Sequence, residues 1–377
     1  MFIELHLLQS FAPANLNRDD TGSPKDAIFG GYRRARISSQ AFKAAIRREP
    51  VFAEKTGVPV GQRTKRMAEE IASRLDKLGQ NKEAATTVAE AFAGTYVKKA
   101  VDKGKTNVLV YLSEEEFRWI TAQLHQNWAV ALHEATETKP KEKIIGDLVK
   151  ELVNNTKNRT SAPDIALFGR MLASEATTNI DAACQVAHAL STHAVRMEMD
   201  YYTAMDHLKP DDTAGADMVG FTSFNSACYY RYLRIHWQQL VDNLKDNALA
   251  SRTVEGFMRA TMSAIPTSKQ NAFGAQNCTN FAMAVARNDG KSWNLVNAFE
   301  TPIKAEREPE TGYIEPSIRA LDDYWYDLTS FYDDSKTVAT AVYVMNKHQH
   351  ALNHLADYRQ TKYSDWVNTI VNVLPQE

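Results

Sequence analysis

From about residue 55 to 160 the chain carries a succession of helical patterns, and strand-like segments stand on either side of it. Met67, Ile71, Leu75 and Leu78 recur at intervals of three and four and close at Gly79. Ser113 and Glu116 form a capping-box pattern ahead of Phe117, Ile120, Leu124 and Trp128. Ile144, Ile145, Leu148 and Leu152 continue the theme up to Asn154-Asn155 and Pro163. Before this block, Ile3, Leu5 and Leu7 alternate as in a β-strand. After it, strand-like stretches are expected at 164–170, 227–236 and 281–287, separated by helices at 180–194 and 253–264. The pattern reads as an α+β sheet domain, helices on one face, with a helical insertion. At about 150 residues per domain, 377 residues allow two or three lobes, and 44% hydrophobic content fills a sizeable core.

Residues 16–48 hold eight basic side chains (Arg18, Lys25, Arg33, Arg34, Arg36, Lys43, Arg47, Arg48) against Asp19, Asp20 and Asp26. That is a surplus of five positive charges in a chain whose net charge is −2. Clustered charge of one sign is the electrostatic footprint of a polyanion site. Gly30-Gly31 supplies a turn, 32–37 alternates like a strand, and Ser38 or Ser39 caps a helix through Gln40, Phe42 and Ile46 to Arg48. The free N–H groups of such a helix start attract phosphate oxygens. Lys43 and Arg47, four apart, share a face one turn further on. A solvated basic helix with an ordinary cap is the competing reading of these residues.

Other motifs carry less. Ser39 and Lys43 are one residue too far apart for a Ser-x-x-Lys acylase pair. His350 and His354 could share a helix face, but no glutamate lies between them as in HExxH and no third ligand is evident, so they read as surface histidines. Adjacent acids at 114–116, 322–323 and 333–334 read as solvated helix faces. Gly30-Gly31 fits no nucleotide-binding loop and more plausibly lets backbone approach a partner. Tyr229-Tyr230-Arg231-Tyr232 is either a stacking platform for single-stranded nucleic acid or a strand with a buried face. Cys184, Cys228 and Cys278 lack CxxC spacing, which argues for free thiols in a reducing cytoplasm. No run of 18 apolar residues exists, so no membrane span is expected, and 2–8 reads as a strand rather than a signal peptide. Residues 195–224, with Pro210, Gly215, Gly220, five aspartates and four methionines, read as a loop or hairpin leaving the sheet. The Tyr- and Trp-rich tail from 313 to 366 is expected to cover the core or contact a neighbour.

The strings RDD at 18–20, KDAIFGG at 25–31 and RARISSQAFK at 34–43 closely resemble the N-terminal signature of the CasC family, the guide-RNA-binding backbone subunit of the type I-E CRISPR Cascade complex. The resemblance continues in order through DIALFGRM at 164–171, AHALSTH at 187–193, DYYTAMDHL at 200–208, YYRY at 229–232, PTSKQ at 266–270 and NAFE at 297–300. It is thin over 55–160 and after 320.

The resemblance implies an α+β fold with an RRM-like (ferredoxin-like) palm at 1–54, 161–194 and 225–377, the last stretch including the covering C-terminal segment. Helical fingers at 55–160 and a β-hairpin thumb at 195–224 complete it. It further implies that copies stack head to tail along guide RNA, a heterologous contact that builds an open helical filament. Carried over residue by residue, the guide contacts are Arg18, Lys25, Ser38, Gln40, Lys43 and Arg47, with Lys269 and Gln270 on a later loop, gripping phosphate and sugar without reading sequence. Met171 matches a residue that wedges against the guide, and Tyr202 and Thr203 fall at the thumb base. The family often has Phe at position 202, and Tyr keeps the π-face that stacking needs. The implied partners are guide RNA, the target DNA strand, further copies, and the large, small and guide-end-capping Cascade subunits, with no cofactor, no metal and no catalytic centre. Two rival readings are a metal-dependent RNA endonuclease using Asp19, Asp20 or Asp26, and a stand-alone single-strand RNA-binding protein. For those acids, salt bridges to Arg18 and Lys25 or backbone capping are the expected use.

Overall fold

The computed structural model describes residues 1–137, 140–204, 218–288, 291–305, 312–332 and 334–375. Among them are eleven strands: β1 Phe2–Ala14, β2 Asp26–Phe29, β3 Tyr32–Ile37, β4 Gln62–Thr64, β5 Val110–Leu112, β6 Cys184–Val186, β7 Ala189–Ser191, β8 Glu198–Ala204, β9 Met218–His236, β10 Phe281–Arg287 and β11 Thr337–Val344. The helices are α1 Ser39–Arg48, α2 Pro50–Thr56, α3 Met67–Lys77, α4 Lys82–Val97, α5 Glu114–Gln126, α6 Trp128–Thr136, α7 Ile144–Asn155, α8 Pro163–Phe168, α9 Trp237–Leu244, α10 Asn247–Ser263, α11 Gln270–Phe273, α12 Ile314–Tyr332 and α13 Tyr363–Val371. The fold is mixed α/β with a largely antiparallel sheet, and the chain divides into two compact units.

One unit (1–52, 185–235 and 254–375) is built on a sheet in the order β11-β10-β1-β9-β7-β3-β2, with β6 and β8 paired to β9 off that path. Every residue of β10 is buried, as befits a strand covered on both faces. β9 serves two ends. Residues 218–224 pair with β8 in a hairpin, and the continuation runs into the sheet beside β1 and β7. Alternation sends Cys228, Tyr230 and Tyr232 into one core, with Phe281, Met283, Val285 and the α12 residues Ile318, Leu321 and Trp325. It sends Ala227 and Tyr229 into another, with Phe11, Ile37 and Phe42.

Tyr229-Tyr230-Arg231-Tyr232 is therefore core, and the stacking-platform reading fails. Arg231 is almost wholly buried, donates to Gln9 Oε1 at 2.7 Å and lies over the Phe42 ring at 4.1 Å. Burial pulls its guanidinium down to about 9.

The other unit (53–184 and 236–253) is largely helical around a main core, with a smaller cluster of Ala162, Ile165 and Ile180 beside Tyr111. Ser113 caps α5 in a true capping box, its hydroxyl accepting from Glu116 N at 3.1 Å while Glu116 accepts from Ser113 N. Glu116 then pairs with the buried Arg170 at 2.6 Å. Two local expectations are overturned. Residues 164–170 are not a strand: Pro163 sits at the first turn of α8 with its φ already helical, and the Asp164 carboxylate accepts from Gly61 N and Tyr111 Oη. Residues 180–194 are not a helix but carry β6 and β7; their three-to-four apolar spacing is overridden by pairing with β3 and β9.

In the C-terminal region, His350 lies in a 3-10 turn (Asn346–Ala351) and His354 beyond it, so they share no helix face. His350 meets Glu315, and His354 stacks on Tyr326 with 4.0 Å between centroids.

Candidate nucleic-acid interface

The basic segment folds into a loop, a hairpin and a helix that are stapled together. Asn17 Oδ1 accepts from Ser38 N at 2.8 Å, and its carbonyl accepts from Lys25 N at 2.9 Å, so the 17–25 loop is pinned to the start of α1. Ser38 is the N-cap, its hydroxyl accepting from Ala41 N at 3.3 Å. Asp19 closes the loop, its carboxylate accepting from Thr21 N and Oγ1 and from Ser23 N, and these hydrogen bonds hold its pKa below the ordinary value. Asp26 pairs with Arg33 at 2.7 Å, a partner outside the expected Arg18 and Lys25.

Not all the positive charge faces solvent. Arg34 is buried and donates to the carbonyls of Ser191, Phe299 and Glu300, and burial lowers its pKa. Arg36 donates to Asp26 O and meets His188 Nδ1 at 3.1 Å. Arg18, Gln40 and Arg48 are exposed, and Lys25, Lys43 and Arg47 are half-buried. Burial, followed by the charges of Arg36 and Lys25, depresses the pKa of His188. Gly30 lies against backbone of its own chain. Its φ is +59°, and a Cβ there would fall on the carbonyl of Glu300 in this same chain.

Two contacts join this segment to the remaining predicted residues of the sheet unit, and a third joins the elements that carry those residues. A cavity of about 200 Å³ is lined by Asn17, by Ala41, Ala44 and Arg48 of α1, and by Pro266 to Ser268, and Arg48 Nη1 reaches Thr267 Oγ1 at 3.4 Å. Buried Asn15 donates to Gly22 O and to Ser223 O, both at 2.9 Å, which ties the loop to the base of the β8–β9 hairpin. Phe224 at that base meets Phe273 of α11 with 5.8 Å between ring centroids. Lys269, exposed and in the left-handed region at φ 54°, precedes α11. The Gln270 amide donates to Pro266 O and Ala275 O and so holds the loop's shape.

Tyr202 stands opposite Gly220, whose missing side chain lets the Tyr202 ring lie across the partner strand; the ring is 44% exposed. Thr203 is exposed on the other face, because successive strand residues alternate. On Thr203's face, Met199 and the Tyr201–Phe221 edge-to-face pair (5.3 Å) are exposed, a hydrophobic group missed in the sequence although its period-two spacing was visible. Residues 205–217, which fall within the expected thumb, lie outside the described residues. Met171 belongs to the helical unit and is 84% exposed. Within the sheet unit, then, ten of the eleven predicted residues sit on elements linked by these contacts: a cationic loop and helix, a lysine loop and an aromatic hairpin. Cations that grip phosphate beside aromatic faces that stack bases are what single-stranded nucleic acid requires. Among the described residues no cluster of three or more His, Cys, Asp or Glu side chains is arranged to hold a metal ion. None of the helices there is long and apolar enough to cross a membrane.

Residues 3–369 match the model of a Cas family described as CT1975-like protein. The chain belongs to that family. Two solved structures resemble this CT1975-like chain over its length. One, described as a CRISPR RNA-guided surveillance complex, pre-nicking, has a chain 29% identical at a TM-score of 0.87, with 100% of both chains covered. The other, described as a CRISPR RNA-guided surveillance complex, has a chain 26% identical at a TM-score of 0.76, with 99% of both covered. No curated protein matches.

Proposed function

We propose that this chain is the guide-RNA-binding backbone subunit of a type I-E CRISPR surveillance complex, a CasC-type protein without a catalytic centre. The observation that carries the reading is the end-to-end likeness to a chain of an RNA-guided surveillance complex, with neither chain leaving a remainder. In this reading the sheet unit is an RRM-like palm, the helical unit the fingers and the β8–β9 hairpin the thumb. Arg18, Lys25, Lys43, Arg47 and Lys269 hold guide phosphates, with Ser38, Gln40 and Gln270 shaping the track. Tyr202, Thr203 and Met171 interrupt the guide so that short segments remain free to pair with target DNA, sequence recognition being delegated to base pairing. Copies add head to tail along the RNA in the cytoplasm, together with large, small and guide-end-capping subunits.

The uses already found for Asp19 and Asp26, one closing a turn and one pairing with Arg33, favour this reading over an endonuclease. Incubation of purified protein with guide and target RNA and magnesium tests the point. Intact RNA is expected, whereas cleavage that vanishes in Asp20→Ala would establish the enzyme reading instead.

A further inference from the structure

The sheet ends at β11, and the chain itself shows that this edge accepts another strand. Arg359 forms a parallel bridge with Val342, and Gln360 N donates to Val342 O at 2.7 Å. That strap covers only the C-terminal half of β11. Among the described residues no backbone group pairs with the outer side of residues 337–340, and Val338 is 43% exposed. The open half faces a groove of about 380 Å³ between β11 and α12. Trp325 lies buried in it, while Tyr326, stacked on His354, and Tyr358 line its sides, 50% and 43% exposed.

The charge around the groove has one dominant sign. Asp323 and Asp327 stand with Tyr326 on the exposed face of α12, Asp323 lying 3.8 Å from His354 Nε2, exposed Asp357 adjoins Tyr358, and Lys336 is exposed where the strand begins. The Asp334 carboxylate, also in the groove, is already engaged by Arg287 and Thr337. Unused edge hydrogen bonds favour an extended chain, half-exposed aromatic rings favour a protein contact and a guanidinium, and the aspartates repel phosphate.

We propose that this groove is a docking site for an extended, basic segment of a partner protein, which adds to β11 as a further strand. Its arginine or lysine side chains meet Asp323, Asp327 and the Tyr326 ring, and its backbone pairs with residues 337–340, a span of about 13 Å at the usual strand rise. The site is separate from the RNA track and does not depend on it.

Fluorescence anisotropy with the full-length protein tests this, using three labelled seven-residue peptides: one alternating arginine and valine, one with glutamate for arginine, and one with proline at alternate valines. The arginine peptide is expected to bind, with the other two at least about tenfold weaker. Asp323→Lys/Asp327→Lys and Tyr326→Ala should each weaken the arginine peptide, the charge reversal by about tenfold or more, while each variant stays folded by circular dichroism and RNA affinity stays as in the parent. Equal binding of the arginine and glutamate peptides would overturn the proposal, as would full binding by the charge-reversed protein. If the charge reversal instead changed the mass of the RNA-bound assembly, the occupant would be a second copy of this chain and not a basic partner.

Discussion

Lys43 and Arg47 lie four residues apart on α1, one turn beyond a helix start whose N–H groups are taken up within the chain, Ala41 N by the Ser38 hydroxyl and Ser38 N by Asn17 Oδ1. Cations so placed grip phosphate and release counterions. Lys43→Ala and Arg47→Ala are expected to weaken RNA binding to a similar degree for unrelated sequences and to lower the salt slope by about 0.7 each. Filter binding over a salt series checks this, and a loss confined to one sequence would mean base readout. Charge was legible in the sequence; its placement was not. Nothing in RRAR distinguishes Arg34, buried under three carbonyls, from Arg33 at the surface, because that depends on a strand and a 3-10 turn more than 150 residues away. His6 shows the same dependence. It is buried in β1 against the Tyr230 hydroxyl at 2.9 Å, and burial, then the Arg287 charge, lower its pKa to about 3. The unfolded chain binds this proton near pH 6.5, so between about 6.5 and 3 it holds more protons than the folded one, and stability falls as the pH falls through that window. Thermal melts from pH 7.5 to 4.5 should show a smaller acid loss in His6→Phe than in the parent. An unchanged pH dependence would place the titrating group elsewhere.

At the level of elements, strands and helices with strong local signals were readable. The capping box of α5, the cap of α1 and the span of β10 lie where periodicity and cap residues put them. Residues 164–170 and 180–194 were misread because α8 is a single turn and a half opened by proline, and β6 and β7 are three residues each. Segments that short take their form from what they pair with. The Gly30 turn likewise gains its meaning from Glu300, 270 residues later in the chain. Gly30→Ala should cost on the order of 2 kcal/mol or more, measurable by urea unfolding, because it adds a left-handed strain to a clash with a backbone carbonyl. The hairpin should behave differently. Val195 belongs to the core and donates its N–H to Arg33 O, and Phe224 rests on Phe273, so the whole of 195–224 cannot be removed harmlessly. Replacing 199–222 with a short Gly-Ser turn leaves those contacts and should leave the protein folded by circular dichroism. Chemical probing of bound guide should then change from evenly spaced exposed bases to uniform reactivity. Persistence of the spaced pattern would show that the hairpin does not interrupt the guide.

Across the whole molecule, the order of the signature strings was readable from residue 16 to 300, and ten of the residues they nominate converge within the sheet unit. The joints between them were not readable: Asn15, Asn17 and Arg48 are ordinary polar residues until the fold brings the 17–25 loop, the hairpin base and residues 266–268 beside them. Such an arrangement has meaning for a backbone subunit only if copies repeat it along one RNA. Sedimentation of the protein bound to single-stranded RNAs of increasing length tests that claim most directly. A backbone subunit predicts masses that rise in equal steps of one protein copy for each fixed increment of RNA, whatever its sequence, whereas a constant one-to-one complex at every length would contradict the account.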